Sequence, residues 1–205
     1  GRAYIVYNDG SIPTTAASAD VIISNDSSIG LFGQSLVAGD FNADGRTDLA
    51  VSAGVDLFGN ANGTIYLFYN DGSFPTTVST ADVSITGVVG QSFGYSLASG
   101  DLNADGRTDI IAGSTSSTYV FYNDGSYPSQ AVNADVTIST PTTFGLGVGD
   151  YNTDGKADLA VGVYDYSSST GRAYIFASEA AAPDVSTEPA KVRGTIKTRG
   201  SIKVR

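Results

Sequence analysis

The sequence predicts an all-β fold, a β-propeller assembled from four-stranded antiparallel blades, and three observations lead there. Asp-x-Asn-x-Asp-Gly-x-x-Asp occurs three times, beginning at Asp40, Asp101 and Asp150. Each copy runs into a short apolar stretch (Leu49-Ala50-Val51, Ile110-Ile111-Ala112, Leu159-Ala160-Val161) with the length and bounding residues of a strand rather than a helix. Other stretches return in step with it. Tyr7-Asn8-Asp9-Gly10-Ser11 recurs at Tyr69 and Tyr122, a Phe-Gly pair stands before each acidic loop at Phe32, Phe93 and Phe144, and Gly1 to Ile5 is repeated as Gly171 to Ile175. The loop starts lie 61 and then 49 residues apart, and self-similarity at such a period marks a repeat architecture.

Each unit resolves into four strands. The first follows Phe-Gly (Gln34 to Ala38), and the acidic loop leads into the second (Leu49 to Ala53). The third is Thr64 to Tyr69, followed by an Asn-Asp-Gly turn of hairpin type. The fourth follows a recurring Ala-Asp-Val: Val21 to Ile23, Val83 to Ile85, Val136 to Ile138. Strands two and three are nearly continuous apolar runs, so both of their faces are expected to be covered. Four-stranded sheets stacked face to face around an axis make a propeller; a β-sandwich explains neither the repeat nor the two-sided burial. The chain enters and leaves at a third strand, so the ring is incomplete within it. The first two strands of the last blade (145–163) would need outer strands from another chain or from the tail. Residues 1–178 are thus read as about three blades, 179–190 as a linker, and 191–205 as a basic, β-prone tail.

The acidic loops carry the chemistry. Side-chain oxygens at positions 1, 3, 5 and 9 and a backbone carbonyl at position 7 supply an all-oxygen set that suits Ca²⁺, and no nitrogen or sulfur for zinc or copper. The predicted ligands are Asp40, Asn42, Asp44, Arg46 and Asp48; Asp101, Asn103, Asp105, Arg107 and Asp109; and Asp150, Asn152, Asp154, Lys156 and Asp158. An EF-hand would need a Glu at position 12 and flanking helices, and these loops have neither. Three structural Ca²⁺ sites are expected, each joining two strands.

Phe-Gly followed by Gly-Asp-x-Asn-x-Asp-Gly-x-x-Asp-Leu-x-Val resembles the FG-GAP repeat of integrin α-subunit propellers, over residues 1 to about 178. The element that gives the repeat the second half of its name is degenerate here (Ser52-Ala53-Gly54, Ala112-Gly113-Ser114, Gly162-Val163-Tyr164). The resemblance implies an extracellular, cell-surface adhesion or recognition module stabilised by calcium.

Composition narrows the function further. Among 205 residues there is no His, Cys, Met or Trp, which removes Ser-His-Asp and Cys-His catalysis and any disulfide framework. Nine acidic residues lie in the loops, and Asp26, Asp56 and Asp165 have no evident partner for acid–base work. The chain is therefore expected not to be an enzyme. The net charge of −10 argues against nucleic acid, and no apolar run reaches the ~20 residues of a membrane helix. The connections between strands two and three fall on the end opposite the acidic loops. They offer Asp56, Phe58, Asn60, Tyr164 and Tyr166 as candidate contacts to a protein or glycan ligand. Alternative readings are a subunit of a homo-oligomer or filament, completed by neighbouring strands and the tail, and a carbohydrate-binding lectin. Asn25-Asp26-Ser27 and Asn62-Gly63-Thr64 are glycosylation sequons.

Overall fold

A computed structural model describes residues 1–26, 30–54, 62–163 and 170–177, together with the backbone strand at 197–198. Its strands are β1 (Arg2–Ile5), β2 (Val21–Ser24), β3 (Leu36–Gly39), β4 (Asp48–Ala53), β5 (Thr64–Phe68), β6 (Val83–Thr86) and β7 (Ser96–Gly100). They continue as β8 (Asp109–Gly113), β9 (Ser117–Phe121), β10 (Val136–Ser139), β11 (Thr143–Gly149), β12 (Asp158–Val163), β13 (Arg172–Ala177) and β14 (Lys197–Thr198). They form three four-stranded antiparallel sheets, β3-β4-β5-β6, β7-β8-β9-β10 and β11-β12-β13-β14, and a two-stranded pair, β1-β2. These are propeller blades in chain order, the pair standing for strands three and four of a blade. The innermost strands β3, β7 and β11 run side by side. The sheets do not close on themselves.

Every residue of β4, β5 and β8 is buried, as expected of strands covered on both faces. The core lies between blades in three layers. Ala3 and Ile23 of the pair meet Val51, Tyr66 and Phe68 of the first blade. Ala50, Ile65 and Leu67 meet Ile110, Tyr119 and Phe121 of the second. Ile111 and Val120 meet Leu159, Val161 and Phe176 of the third.

Phe-Gly supplies the wedge at the first two junctions. Leu31 and Gly33, and likewise Ser92 and Gly94, have positive φ, which turns the intervening Phe inward. Phe32 meets Phe68 edge-on at 6.1 Å, and Phe93 meets Phe121 at 6.0 Å. This turn also delays the first strand to Leu36, two residues later than its pattern predicts.

One expectation is corrected. Asn-Asp-Gly does not close a tight hairpin: residues 69–82 separate β5 from β6, with a 3₁₀ turn at Val78–Thr80. Paired carboxylates divert the chain there. The amide of Tyr69 donates to Asp82 (2.7 Å) and that of Asn70 to Asp48 (2.8 Å), so both leave the ladder. For the last blade, of the two sources expected for its outer strands, the chain's own tail is the one used. β13 of the same chain pairs with β12, and tail strand β14 pairs with β13 through Phe176–Thr198 and Ala177–Lys197.

Candidate metal centre

The three acidic loops repeat one hydrogen-bonding scheme. Position 1 spends one carboxylate oxygen on the amide of position 5 (3.0 Å in all three). Its other oxygen accepts from the glycine at position 6 (2.9, 2.8 and 2.9 Å). The Asn oxygen at position 3 accepts from the same position-5 amide. The position-5 carboxylate accepts from the amide of Arg46, Arg107 or Lys156. These bonds need left-handed backbone at position 4, where Ala43, Ala104 and Thr153 have φ of 60°, 59° and 61°, and at the following glycine. Glycine adopts that region freely; alanine and threonine do so at a cost. The side-chain bonds hold the turn against that cost.

Position 9 lies below the loop. Asp48, Asp109 and Asp158 are buried, and each accepts from the amide at position 2, Phe41, Leu102 or Tyr151. Asp48 and Asp109 also accept from Asn70 and Asn123, the first residues of the Asn-Asp-Gly turns. Each of these two thus ties the end of strand three to its own loop. Arg46 and Arg107 reach across the same gap, their guanidinium donating to the Asn70 and Asn123 carbonyls (3.3 Å each). Loops and turns therefore share one end of the blades, as the strand tracing predicts.

Burial pushes the Asp48 carboxyl up, against the two amide bonds, with the charge of Asp44 adding to the rise. Asp109 is pushed up to about 6, by burial first and then by Asp105 and Asp101, against its own amide bonds. The arrangement gathers hard oxygen donors and charge that repels itself. Among the described residues, no three acidic side chains stand at the mutual spacing that holds a metal ion. The chemistry of the donor set nonetheless fits a hard cation. Each carboxylate oxygen committed to an amide keeps a second lone pair, and no softer donor competes.

Asp56, Phe58, Asn60, Tyr164 and Tyr166 lie outside the described residues. Among the described residues, Gly54, Asn62, Thr64, Tyr66, Ser84 and Thr86 line a cavity of about 370 Å³. Asp26 has a partner: its carboxylate accepts from the Ser79 amide (3.0 Å) and from the Ser79 hydroxyl, joining the β1-β2 pair to the first blade.

One set of acids was given no role by the residue pattern. Asp20, Asp82 and Asp135 accept from the amides of Tyr7, Tyr69 and Tyr122 (2.7–2.8 Å) and close the base of each long excursion. The constant spacing of 13 residues between each Tyr and its Asp was the available signal.

Comparison with known proteins gives two family matches. Residues 32–68 match the FG-GAP repeat, and residues 101–161 match the FG-GAP-like repeat. Integrin alpha-PS5 of Drosophila melanogaster is 40% identical over 85 residues, 40% of this chain and 8% of the relative. Integrin alpha-PS2 of the same species is 32% identical over 187 residues, 80% of this chain and 12% of the relative. A phosphatidylinositol-glycan-specific phospholipase D of Mus musculus is 33% identical over 125 residues, 56% of this chain and 14% of the relative. The chain thus spans less than a sixth of the length of these relatives.

Proposed function

The chain belongs to the FG-GAP repeat, integrin α-like family, and from that premise we propose an extracellular, calcium-stabilised propeller module for adhesion or recognition. The observation that carries this reading is the threefold recurrence of one loop built wholly from oxygen donors, with a buried carboxylate beneath each. Calcium, when bound, supplies positive charge where the loops concentrate negative charge. Asp40, Asn42, Asp44 and Asp48, the Arg46 carbonyl and their counterparts in the other two loops would hold it. Its role would be structural: it locks the link between strands one and two, and through position 9 the exit of strand three.

The module is proposed to be non-catalytic. One relative is named as a phospholipase, but the match covers a small part of it. The described acidic side chains outside the loops are largely taken up by backbone amides: Asp20, Asp82 and Asp135 hold the excursions and Asp26 holds Ser79. A protein ligand is the first expectation. A glycan is the second, because the 370 Å³ cavity offers hydroxyls of Thr64, Ser84 and Thr86 beside the Tyr66 ring. Thermal melts in calcium and in chelator test the metal reading. A large fall in Tm on chelation, restored by calcium and not by magnesium, is expected; identical melts would overturn it. Glycan-array binding tests the second ligand class, and silence in calcium buffer counts against it.

A further inference from the structure

Ala38, Gly39 and Asp40 lead the first blade into its acidic loop, and the second blade holds all three. The Ala38 carbonyl accepts from the Ser99 hydroxyl (2.9 Å). Gly39 packs against Thr108, position 8 of the second loop: a Cβ on Gly39 would fall 2.6 Å from the Thr108 methyl carbon. The Asp40 carbonyl accepts from the side-chain amide of Asn123 (3.5 Å). Asn123 is fully buried, and its side-chain oxygen accepts from the Gly125 amide, which leaves the nitrogen facing the first blade. The backbone of the same asparagine serves the second loop. Its amide donates to Asp109, position 9, and its carbonyl accepts from the Arg107 guanidinium at position 7. Asn123 thus bridges the first position of one loop to the seventh and ninth of the next.

The third blade carries different residues at each of these places. Val148 stands for Ser99 and Ala157 for Thr108, and the sequence has Ser178 two residues after Phe176, where Asn123 follows Phe121. Val148 has no hydroxyl to give the carbonyl before the second loop. It packs instead on Gly100, where a Cβ would fall 2.5 Å from its Cγ1. A serine side chain ends at the atom bonded to Cβ, short of where an asparagine amide nitrogen reaches.

Resting on the calcium reading above, we propose that the first and second acidic loops take up their ions as a coupled pair, with Asn123 as the positioning residue between them, while the third loop binds independently of the second. A first loop closed around its donor set fixes the backbone of Asp40, and with it the carbonyl that Asn123 holds. Asn123 held there keeps its amide on Asp109 and its carbonyl on Arg107, two of the positions that complete the second donor set. The second loop then has less to order on binding, and ordering avoided is affinity gained. By linkage the first loop gains the same factor from the second.

Calorimetric titration of the chelator-stripped full chain with calcium chloride tests the coupling, with Asp44→Ser, Asp105→Ser and Asp154→Ser silencing the loops singly and in pairs. With only the third loop silenced, the product of the two dissociation constants should be about tenfold smaller than the product from the two single-loop chains. With only the first loop silenced, the two products should agree. Asn123→Ser, which writes the third blade's residue into the second, should bring the first comparison to equality as well. Asn70→Ser makes the same change in the first blade, which no acidic loop of this chain precedes, and should leave the factor in place. A merely structural asparagine would give both variants the same loss. Should Asn123→Ser melt early, the loop-silencing comparison tests the coupling without it. Two ions bound with equal products in every chain overturn the proposal and leave the calcium reading standing, whereas no binding in any chain overturns both. A factor that survives Asn123→Ser, or one of equal size between the second and third loops, also overturns the proposal.

Discussion

The junction between the first and second blades and the junction between the second and third are built on one plan, yet they are filled differently. In the former, Phe93 is fully buried between blades, and the residue opposite its backbone is Gly63. A Cβ on Gly63 would fall 1.9 Å from the Phe93 carbonyl oxygen, as one on Gly1 would from that of Phe32. At the equivalent place in the second blade the chain has Ser116, whose Cβ excludes a Phe-Gly turn in that position. Thr143, Phe144 and Gly145 are accordingly not in the left-handed region. They belong to β11, which starts early and carries a register shift between Thr143 and Gly145. Phe144 is only half-buried and packs edge-on against Tyr95 at 4.6 Å. In its stead Thr118, Thr140 and Thr143 close a buried ring of hydroxyls, 3.0–3.1 Å apart. Each hydroxyl in such a ring can donate once and accept once, so none is left unsatisfied. One Cβ at the entry to a third strand thus decides whether the junction is sealed by a phenyl ring or by polar bonds.

The largest expected effect follows from removing the wedge. Phe93→Ala should destabilise the chain by about 3–5 kcal/mol. Phe144→Ala should cost only about 1 kcal/mol, the scale of one edge-on aromatic pair. Chemical denaturation of both variants checks the contrast, and equal losses would mean that the two junctions are energetically alike. Next comes Gly63→Ser, which writes the Ser116 condition into the first junction. Its Cβ has no room while Phe93 stays in place, so the loss should match that of Phe93→Ala. The double variant should be little worse than either alone, the non-additivity expected of residues in direct contact.

Much of this architecture was legible in the residues. Strand identity, the blade repeat and the shared end of acidic loops and Asn-Asp-Gly turns all come from local patterns that recur in register. What was not legible depends on contacts far apart in the chain. The Asn-Asp-Gly triplet has hairpin composition, and only the bonds from Tyr69 to Asp82 and from Asn70 to Asp48 reveal why the chain swings outward. The four acidic-loop positions look equivalent as donors, while the fold buries the ninth and has it hold backbone amides. Ser116 in place of glycine is plain to see, but its consequence appears only with the backbone of the next blade beside it.

A smaller effect tests the polar seal. Thr118→Val removes two of the three bonds in the hydroxyl ring and leaves Thr140 and Thr143 bonded to each other. Losses of about 1 kcal/mol per buried hydrogen bond are typical, so about 1–2 kcal/mol is expected here. Ile65→Val, at the same strand position of the first junction, keeps an apolar contact with Phe93 and should cost about 0.5–1.5 kcal/mol. Melting curves of the two variants separate the cases only when paired with hydrogen exchange of the neighbouring amides. Thr118→Val should speed exchange at Thr143, whose amide bonds Ser114 in this layer, and Ile65→Val should not.

The smallest effect concerns the second acidic loop and its buried ninth residue. Asp109 has its carboxyl raised to about 6 in the folded chain, chiefly by burial. A carboxylate raised above its unfolded value holds its proton in the folded state while the unfolded state has lost it. Its contribution is therefore fully present below about pH 4 and disappears as pH rises through about 6. In chelator, stability should decline across that window, and Asp109→Asn should flatten the slope. Asp48→Asn should change it less, since the rise at Asp48 is weaker. Calcium, if it binds the loop, favours the ionised form and must reverse the sign, so that stability climbs with pH over the same range. Denaturation at several pH values with and without calcium distinguishes the two slopes. An identical slope in both buffers would mean that Asp109 serves its two amides alone.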